Sequence, residues 1–218
     1  MEEKNYPLLP EWAIKVFQKE NHKSIISDIS DVSTDNANSE SMINRKDIIV
    51  INFDTVKENH NKKLKSNDAF IVMKEKDKKY GDIVWIEFKN GKLLDENGNL
   101  NEDMGNELKE KIYDSINIFL SYILESTDKG IFYIKENPLK YLKDHSIYYL
   151  VYNENKNTAK TKMRDHWKKL AGKQNEGLCG FDKKIKNKFR GYLCRDAFAY
   201  TPNEFEKILN EYLKNNKK

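Results

Sequence analysis

The stretch "DIVWIEFKNGK", residues 82–92, sets Glu87 and Lys89 among Ile83, Val84, Trp85, Ile86 and Phe88. Side chains of a strand alternate faces, so Ile83, Trp85, Glu87 and Lys89 point one way and Val84, Ile86 and Phe88 the other. A carboxylate and an ammonium then stand ~7 Å apart at the Cα level on one face of an apolar strand. Leaving either charge buried and unpaired costs on the order of several kcal/mol, so something must compensate them. A partner sits in "SNDAF" at the start of the preceding strand. If strands 68–74 and 82–89 pair antiparallel about the turn at 75–81, Asp68 falls opposite the end holding Glu87 and Lys89, within one residue of register. Two carboxylates brought so close repel each other, and a divalent cation is the usual physical remedy. The competing interpretation is a solvated hairpin edge, with Glu87 and Lys89 forming an ion pair worth less than ~1 kcal/mol.

The elements that must position these residues are legible in part. "LLPEWAIKVFQKE", 8–20, reads as a short amphipathic helix with Pro10 near its start and Trp12, Val16 and Phe17, with Leu9 or Ile14, on one side. Residues 27–47 are rich in Ser, Asn and Asp with no sustained period, which predicts a mobile surface loop. "DIIVINF", 47–53, is β-branched and predicts a strand, followed by a polar stretch to about Lys65. After the two strands already named, Asn-Gly turn signals lead into a helix over about 103–126, with Leu108, Ile112, Ile116, Phe119, Leu120 and Ile123 at helical spacing. "HSIYYLVYN", 145–153, reads as an interior strand covered on both faces. A helix at about 157–171, a strand within 189–200 and a helix opened by a Thr201, Pro202, Glu204 capping box complete the chain.

The order is α, β, β, β, long α, β, α, β, α, which predicts an α/β fold with a mixed central β-sheet flanked by helices. At 218 residues the chain is read as one domain, 1–218, with a core at about 9–153 and a C-terminal α-β-α addition at about 154–218. Aromatics at 11% speak against disorder, and a net charge of +4 permits contact with nucleic acid without demanding it. Cys179 and Cys194 lack CxxC spacing and read either as two free buried thiols of a reducing cytosol, the simpler alternative, or as a disulfide pair. No basic and apolar leader and no run of ~20 apolar residues is present, so the expectation is a cytoplasmic protein with no membrane contact. P-loop, GxGxxG, HExxH and GxSxG patterns are absent from the sequence.

Asp68 followed by Glu87-Phe88-Lys89 resembles the signature of the PD-(D/E)XK nuclease superfamily, an acidic residue near a strand start and then (D/E)-x-K on the next strand. The element order over roughly 9–153 also resembles that superfamily's α-β-β-β-α-β, restriction-endonuclease-like core. Asn67 replaces the Pro of the strict signature. The resemblance implies hydrolysis of phosphodiester bonds in DNA or RNA. It implies Mg²⁺ or Mn²⁺ held by Asp68, Glu87 and the Phe88 carbonyl, with Lys89 orienting or helping to deprotonate the attacking water and balancing charge on phosphorus. In many members an acidic residue of the first helix joins, for which Glu11 and Glu20 are the choices. Many also place a polar or basic residue on the helix after the signature strand, with Lys111 ranked ahead of Asp114 and Ser115. By analogy such nucleases serve in phage defence, in mobile elements or as toxins, and cutting two strands is compatible with a homodimer. The rival expectation is a binding protein that kept the fold without the chemistry, such as an inhibitor, immunity protein or nucleic-acid-binding module.

Outside the signature, Asp54 ends an apolar strand and offers either a third metal ligand or a cap for the segment that follows. Lys160, Arg164 and Lys168 align at i, i+4 and i+8, with Lys169 close by; they form either a solvated face or a stripe for a nucleic-acid backbone. Tyr148, Tyr149 and Tyr152 suit either base stacking or core packing. His145 and His166 do not have the spacing of a metal pair.

Overall fold

A computed structural model describes residues 6–18, 22–35, 39–73, 81–95, 100–157, 189–190 and 194–216. Its centre is a six-stranded mixed sheet in the order β1 (Ile26–Asp28), β4 (Ile49–Asn52), β5 (Ala69–Met73), β6 (Asp82–Lys89), β7 (Ser146–Tyr152), β8 (Asp196–Tyr200). A separate two-stranded hairpin is formed by β2 (Thr34–Asp35) and β3 (Glu40–Ser41). The first four strands of the sheet pair antiparallel, whereas β6 pairs with β7, and β7 with β8, in parallel. A parallel pair needs a long crossover, and between β6 and β7 it is supplied by α4 (Glu102–Glu125), α5 (Phe132–Glu136) and α6 (Pro138–His145).

β6 and β7 are the middle of the molecule, and their sequences show it. Every residue of β7 is buried, as are all of β6 except half-buried Lys89. The expected alternation holds: Ile83 and Trp85 join a core with α1 (Glu11–Phe17) and α4, while Val84, Ile86 and Phe88 join a second core with Phe205 and Leu209 of α7 (Pro202–Asn216). α4 lays Leu108, Ile112, Ile116, Phe119 and Ile123 across the first face. Trp85 packs edge-on against Phe53 and Phe119, at centroid distances of 5.3 and 5.7 Å. Each such side chain contributes about 1.5–3 kcal/mol of burial. The capping box forms as expected: Thr201 N–H donates to Glu204 Oε2 (2.9 Å) and Glu204 N–H to Thr201 Oγ1 (3.3 Å).

Two expectations need correction. Residues 27–47 are not a featureless loop, because β1 pairs with β4, α2 (Ile29–Val32) follows at once, and the β2–β3 hairpin closes over it. Ile29 and Ile43 are fully buried there. Ser41 Oγ lies 2.8 Å from the carbonyl oxygens of both Ser30 and Ile43, either of which can accept its proton, and Thr34 Oγ1 donates to that of Ser30. Polar side chains that satisfy backbone groups locally leave no hydrophobic period to read. Residues 53–60 are likewise not a polar linker but helix α3 (Phe53–His60), whose N-cap Asn52 accepts from the Thr55 amide at 3.0 Å. α3 hides only Phe53 and Val56, too few to set a pattern. The expected helix at 157–171 lies outside the described residues but for its first residue. Among the described residues no helix is long and apolar enough to cross a membrane.

Candidate active site

β5 and β6 pair with Ala69 opposite Ile86 and Phe70 opposite Trp85. That register carries Asp68 to the level of Glu87, where the Phe88 amide donates to Asp68 Oδ2 at 2.6 Å. Asp68 is fixed a second time through its carbonyl, which accepts from the Phe53 amide at 3.0 Å, where β4 hands over to α3. The preceding residue, Asn67, has its amide held by Ser115 Oγ of α4 at 2.8 Å. The acid at the strand start is therefore positioned by three elements.

α4 closes the site from above. Lys111 Nζ lies 2.6 Å from Glu87 Oε1 and 3.3 Å from Asp68 Oδ1, bridging the two carboxylates. Lys89 Nζ lies 3.2 Å from the same Glu87 oxygen and 2.7 Å from Glu107 Oε1, one helical turn before Lys111. Glu87 is wholly buried, whereas the side chains of Asp68, Lys89 and Lys111 keep 15–17% of their surface exposed. The cluster is thus closed to solvent at Glu87 and partly open at Asp68, Lys89 and Lys111.

Burial and the neighbouring Asp68 push the Glu87 carboxyl up to about 8, against the pull of Lys111 and Lys89. Burial likewise raises Asp68, opposed by Lys111 and by the Phe88 amide. For Lys111, burial acts downward, but the two carboxylates prevail and hold its ammonium above the ordinary lysine range. Glu107 ends below its ordinary value because Lys89 outweighs its partial burial. Glu87 Oε2 is buried without a hydrogen-bond partner, and so is the hydroxyl of Tyr148, whose phenol is raised by burial and by the Glu87 and Asp68 charges.

The structure thus brings together Asp68, Glu87, Lys89 and Lys111. Phe88 is tied in through its amide. Asp54 stands at the margin: it neither ends a strand nor caps α3, but lies in the first helical turn, half-exposed, accepting from Ser66 Oγ at 2.5 Å with Lys57 at 3.7 Å. Glu11 is exposed on α1 and pairs with Lys15 rather than with the cluster. Asp114 accepts from the Lys65 amide. Glu20, Lys160, Arg164, Lys168 and Lys169 lie outside the described residues. Tyr148, Tyr149 and Tyr152 are all buried, so they pack in the sheet rather than present faces for stacking. Cys194 is a free, buried thiol. Glu107 was not among the expected residues, although its spacing from Lys111 and Ser115, at i, i+4 and i+8, was a readable signal of one polar ridge.

Two carboxylates with one unpartnered buried oxygen are hard donors of the kind Mg²⁺ and Mn²⁺ accept. No group of three or more His, Cys, Asp or Glu placed to hold a metal occurs among the described residues. Mg²⁺ is commonly held by one or two carboxylates, with water and substrate phosphate completing its shell, so this donor set fits such an ion. Compared with protein-family models, with curated proteins and with solved structures, the chain matches none, and the site's geometry is what carries the functional argument.

Proposed function

We propose that this chain is a metal-dependent nuclease that hydrolyses phosphodiester bonds of DNA or RNA, with Asp68, Glu87 and Lys89 as its catalytic residues. The observation that carries this reading is the convergence of Asp68, Glu87, Lys89 and Lys111 in one largely buried cluster, with a Glu87 oxygen left without a partner. Once β1, α2, β2, β3, α3, α5 and α6 are set aside as additions, the remaining order α1, β4, β5, β6, α4, β7 is compatible with the α-β-β-β-α-β order of a restriction-endonuclease-like core.

In this reading Asp68 and Glu87, with the Phe88 carbonyl, hold Mg²⁺ or Mn²⁺. The bound ion supplies a Lewis acid for the phosphoryl oxygens and a water of lowered pKa. Lys89, steadied by Glu107, orients the attacking water and offsets charge on the phosphorus oxygens. Charge balance is consistent with a diester. Asp68, Glu87 and Glu107 against Lys89 and Lys111 leave one formal negative charge, one divalent cation turns it into one positive charge, and one phosphodiester cancels that.

A second reading, a nuclease-fold binding protein without chemistry, is favoured by one observation: Lys111 already lies between the carboxylates as a counter-charge. Calorimetric titration of Mn²⁺ into wild type and the Asp68→Ala, Glu87→Ala double variant separates the two, followed by incubation with mixed DNA and RNA. Binding by wild type alone, with cleavage that needs the cation and Lys89, supports the nuclease. Wild type that binds no Mn²⁺ and cuts nothing sinks it and leaves the binding protein.

A further inference from the structure

We propose that Lys111 is a built-in counter-cation: its ammonium holds the place between Asp68 and Glu87 that a divalent cation takes, and binding of that cation releases it toward the substrate phosphate. The inference rests on the metal-dependent reading of the same site and adds a displacement step within it.

Geometry carries the argument. The two lysines of the cluster are not equivalent. Lys89 has an anchor outside the carboxylate pair, Glu107 at 2.7 Å, and keeps it whatever happens at Glu87. Lys111 contacts the pair alone, at 2.6 and 3.3 Å, and among the described residues no other acid touches its Nζ. A divalent cation held by both carboxylates, whether through the unpartnered Glu87 Oε2 or through Oε1, would stand against the Lys111 ammonium on the same two groups, and the two cations repel strongly. The cation therefore has to evict one lysine, and Lys111 is the one with nothing else to hold it.

Released, Lys111 has a place to go. Its side chain retains some exposure, and its four-carbon stem lets the head swing while the backbone stays fixed in α4. Whenever Glu87 is ionised, Lys111 is also the charge that keeps two buried carboxylates from facing each other unpaired.

The test compares Mn²⁺ titration of wild type, Lys111→Met and Lys65→Met in the same buffer at several pH values, so that proton competition is separated from competition by the ammonium. Lys65, exposed and paired with Glu110, reports the effect of deleting a nearby charge without deleting a competitor. The expected result is Mn²⁺ affinity about tenfold or more above wild type for Lys111→Met, and a change below about threefold for Lys65→Met. Equal affinity of wild type and Lys111→Met, or an equal gain in both variants, overturns the displacement and leaves metal binding intact. Failure of all three to bind Mn²⁺ overturns both. Because Lys111→Met also weakens the metal-free fold, a second readout uses wild type: the Lys111 ¹³Cε and ¹⁵Nζ resonances during Mg²⁺ titration. Movement to the values of a solvated ammonium at saturation is expected, and resonances unchanged at saturation overturn the inference.

Discussion

Strand β6 carries a buried carboxylate at each end, and the two are treated in opposite ways. At its start, Asp82 receives both arms of the Arg195 guanidinium, at 2.7 and 2.8 Å, with His145 Nδ1 a further 3.6 Å away. Arg195 lies just ahead of β8, so this fork ties β6 to the outer parallel strand. At the other end, Glu87 shares its cations with Asp68 and Glu107 and keeps one oxygen without a partner. A planar fork matched to a carboxylate is a clasp, complete in itself. Two ammonium heads spread over three carboxylates make an unfinished balance, and an unfinished balance can take up a further charge.

The difference has a structural origin. Asp82 meets a guanidinium, a rigid donor pair that stays charged at any working pH. Glu87 meets primary amines on long stems, which can part from it and re-pair. Burial does the rest: it is the largest influence on Glu87, raising its carboxyl to about 8 and so keeping a proton close to hand at neutral pH.

The sharpest break in the comparison is functional. On the proposed nuclease reading, Lys89→Ala is expected to lower cation-dependent cleavage about 100-fold to 1000-fold, measured on the DNA or RNA substrate used to test that reading. Arg195→Ala should leave cleavage within about threefold, since its guanidinium belongs to the clasp. Cleavage by Lys89→Ala at the wild-type rate would remove Lys89 from the chemistry. Stability should show the reverse ordering. Arg195→Ala leaves Asp82 buried without its fork and is expected to cost about 2 kcal/mol in urea unfolding, less than a fully buried pair because the arginine is partly solvated. An unchanged unfolding midpoint would mean that the clasp is decorative.

Both ends of β6 were only half legible in the sequence. Glu87 and Lys89 stood out because charges in an apolar strand violate its pattern, and the antiparallel turn brought Asp68 to them by register alone. Asp82 gave no such signal, because it opens the strand next to a turn, where an acid is ordinary, and its partner comes from 113 residues away in sequence. Glu107 was hidden for another reason: on a helix whose exposed face is strewn with Glu and Lys, one more Glu carries no information until the helix is docked. The segment 27–47 misled because its order comes from serine hydroxyls bonded to backbone and from two buried isoleucines rather than from a period. Long apolar elements, such as α4 and β7, were plain from sequence because burial writes itself into spacing.

The pH dependence of stability sharpens the same contrast. Glu87 holds its proton more tightly folded than unfolded, so its contribution is fully present below its ordinary value of 4.5 and is lost as pH rises through about 8. Asp68, raised by burial, acts in the same direction. Metal-free protein is therefore expected to lose stability steadily from about pH 5 to pH 8. Glu87→Gln should flatten most of that slope and exceed wild type in stability at the alkaline end. Urea unfolding at several pH values measures both. A wild-type stability that rises across this window would show that the proton on Glu87 is not part of the folded state.

The smallest effect is expected at Tyr148, and it is informative because it is small. Its hydroxyl is buried on the face of β7 that adjoins Glu87, under the electrostatic influence of both carboxylates and without a hydrogen-bond partner. Trp85, its register partner, and Phe189, with a ring centroid 4.8 Å away, pack the ring itself. Tyr148→Phe keeps that packing and deletes only a group that burial penalises. Unfolding free energy should move by less than about 1 kcal/mol, in the stabilising direction. A loss beyond about 1 kcal/mol would mean instead that a buried water links the hydroxyl to Glu87 Oε2, completing both groups at once. That outcome would bring the two ends of β6 closer together, since Glu87 would then be as fully satisfied as Asp82. Mn²⁺ affinity measured on the same variant would show whether that water competes with the cation for the oxygen.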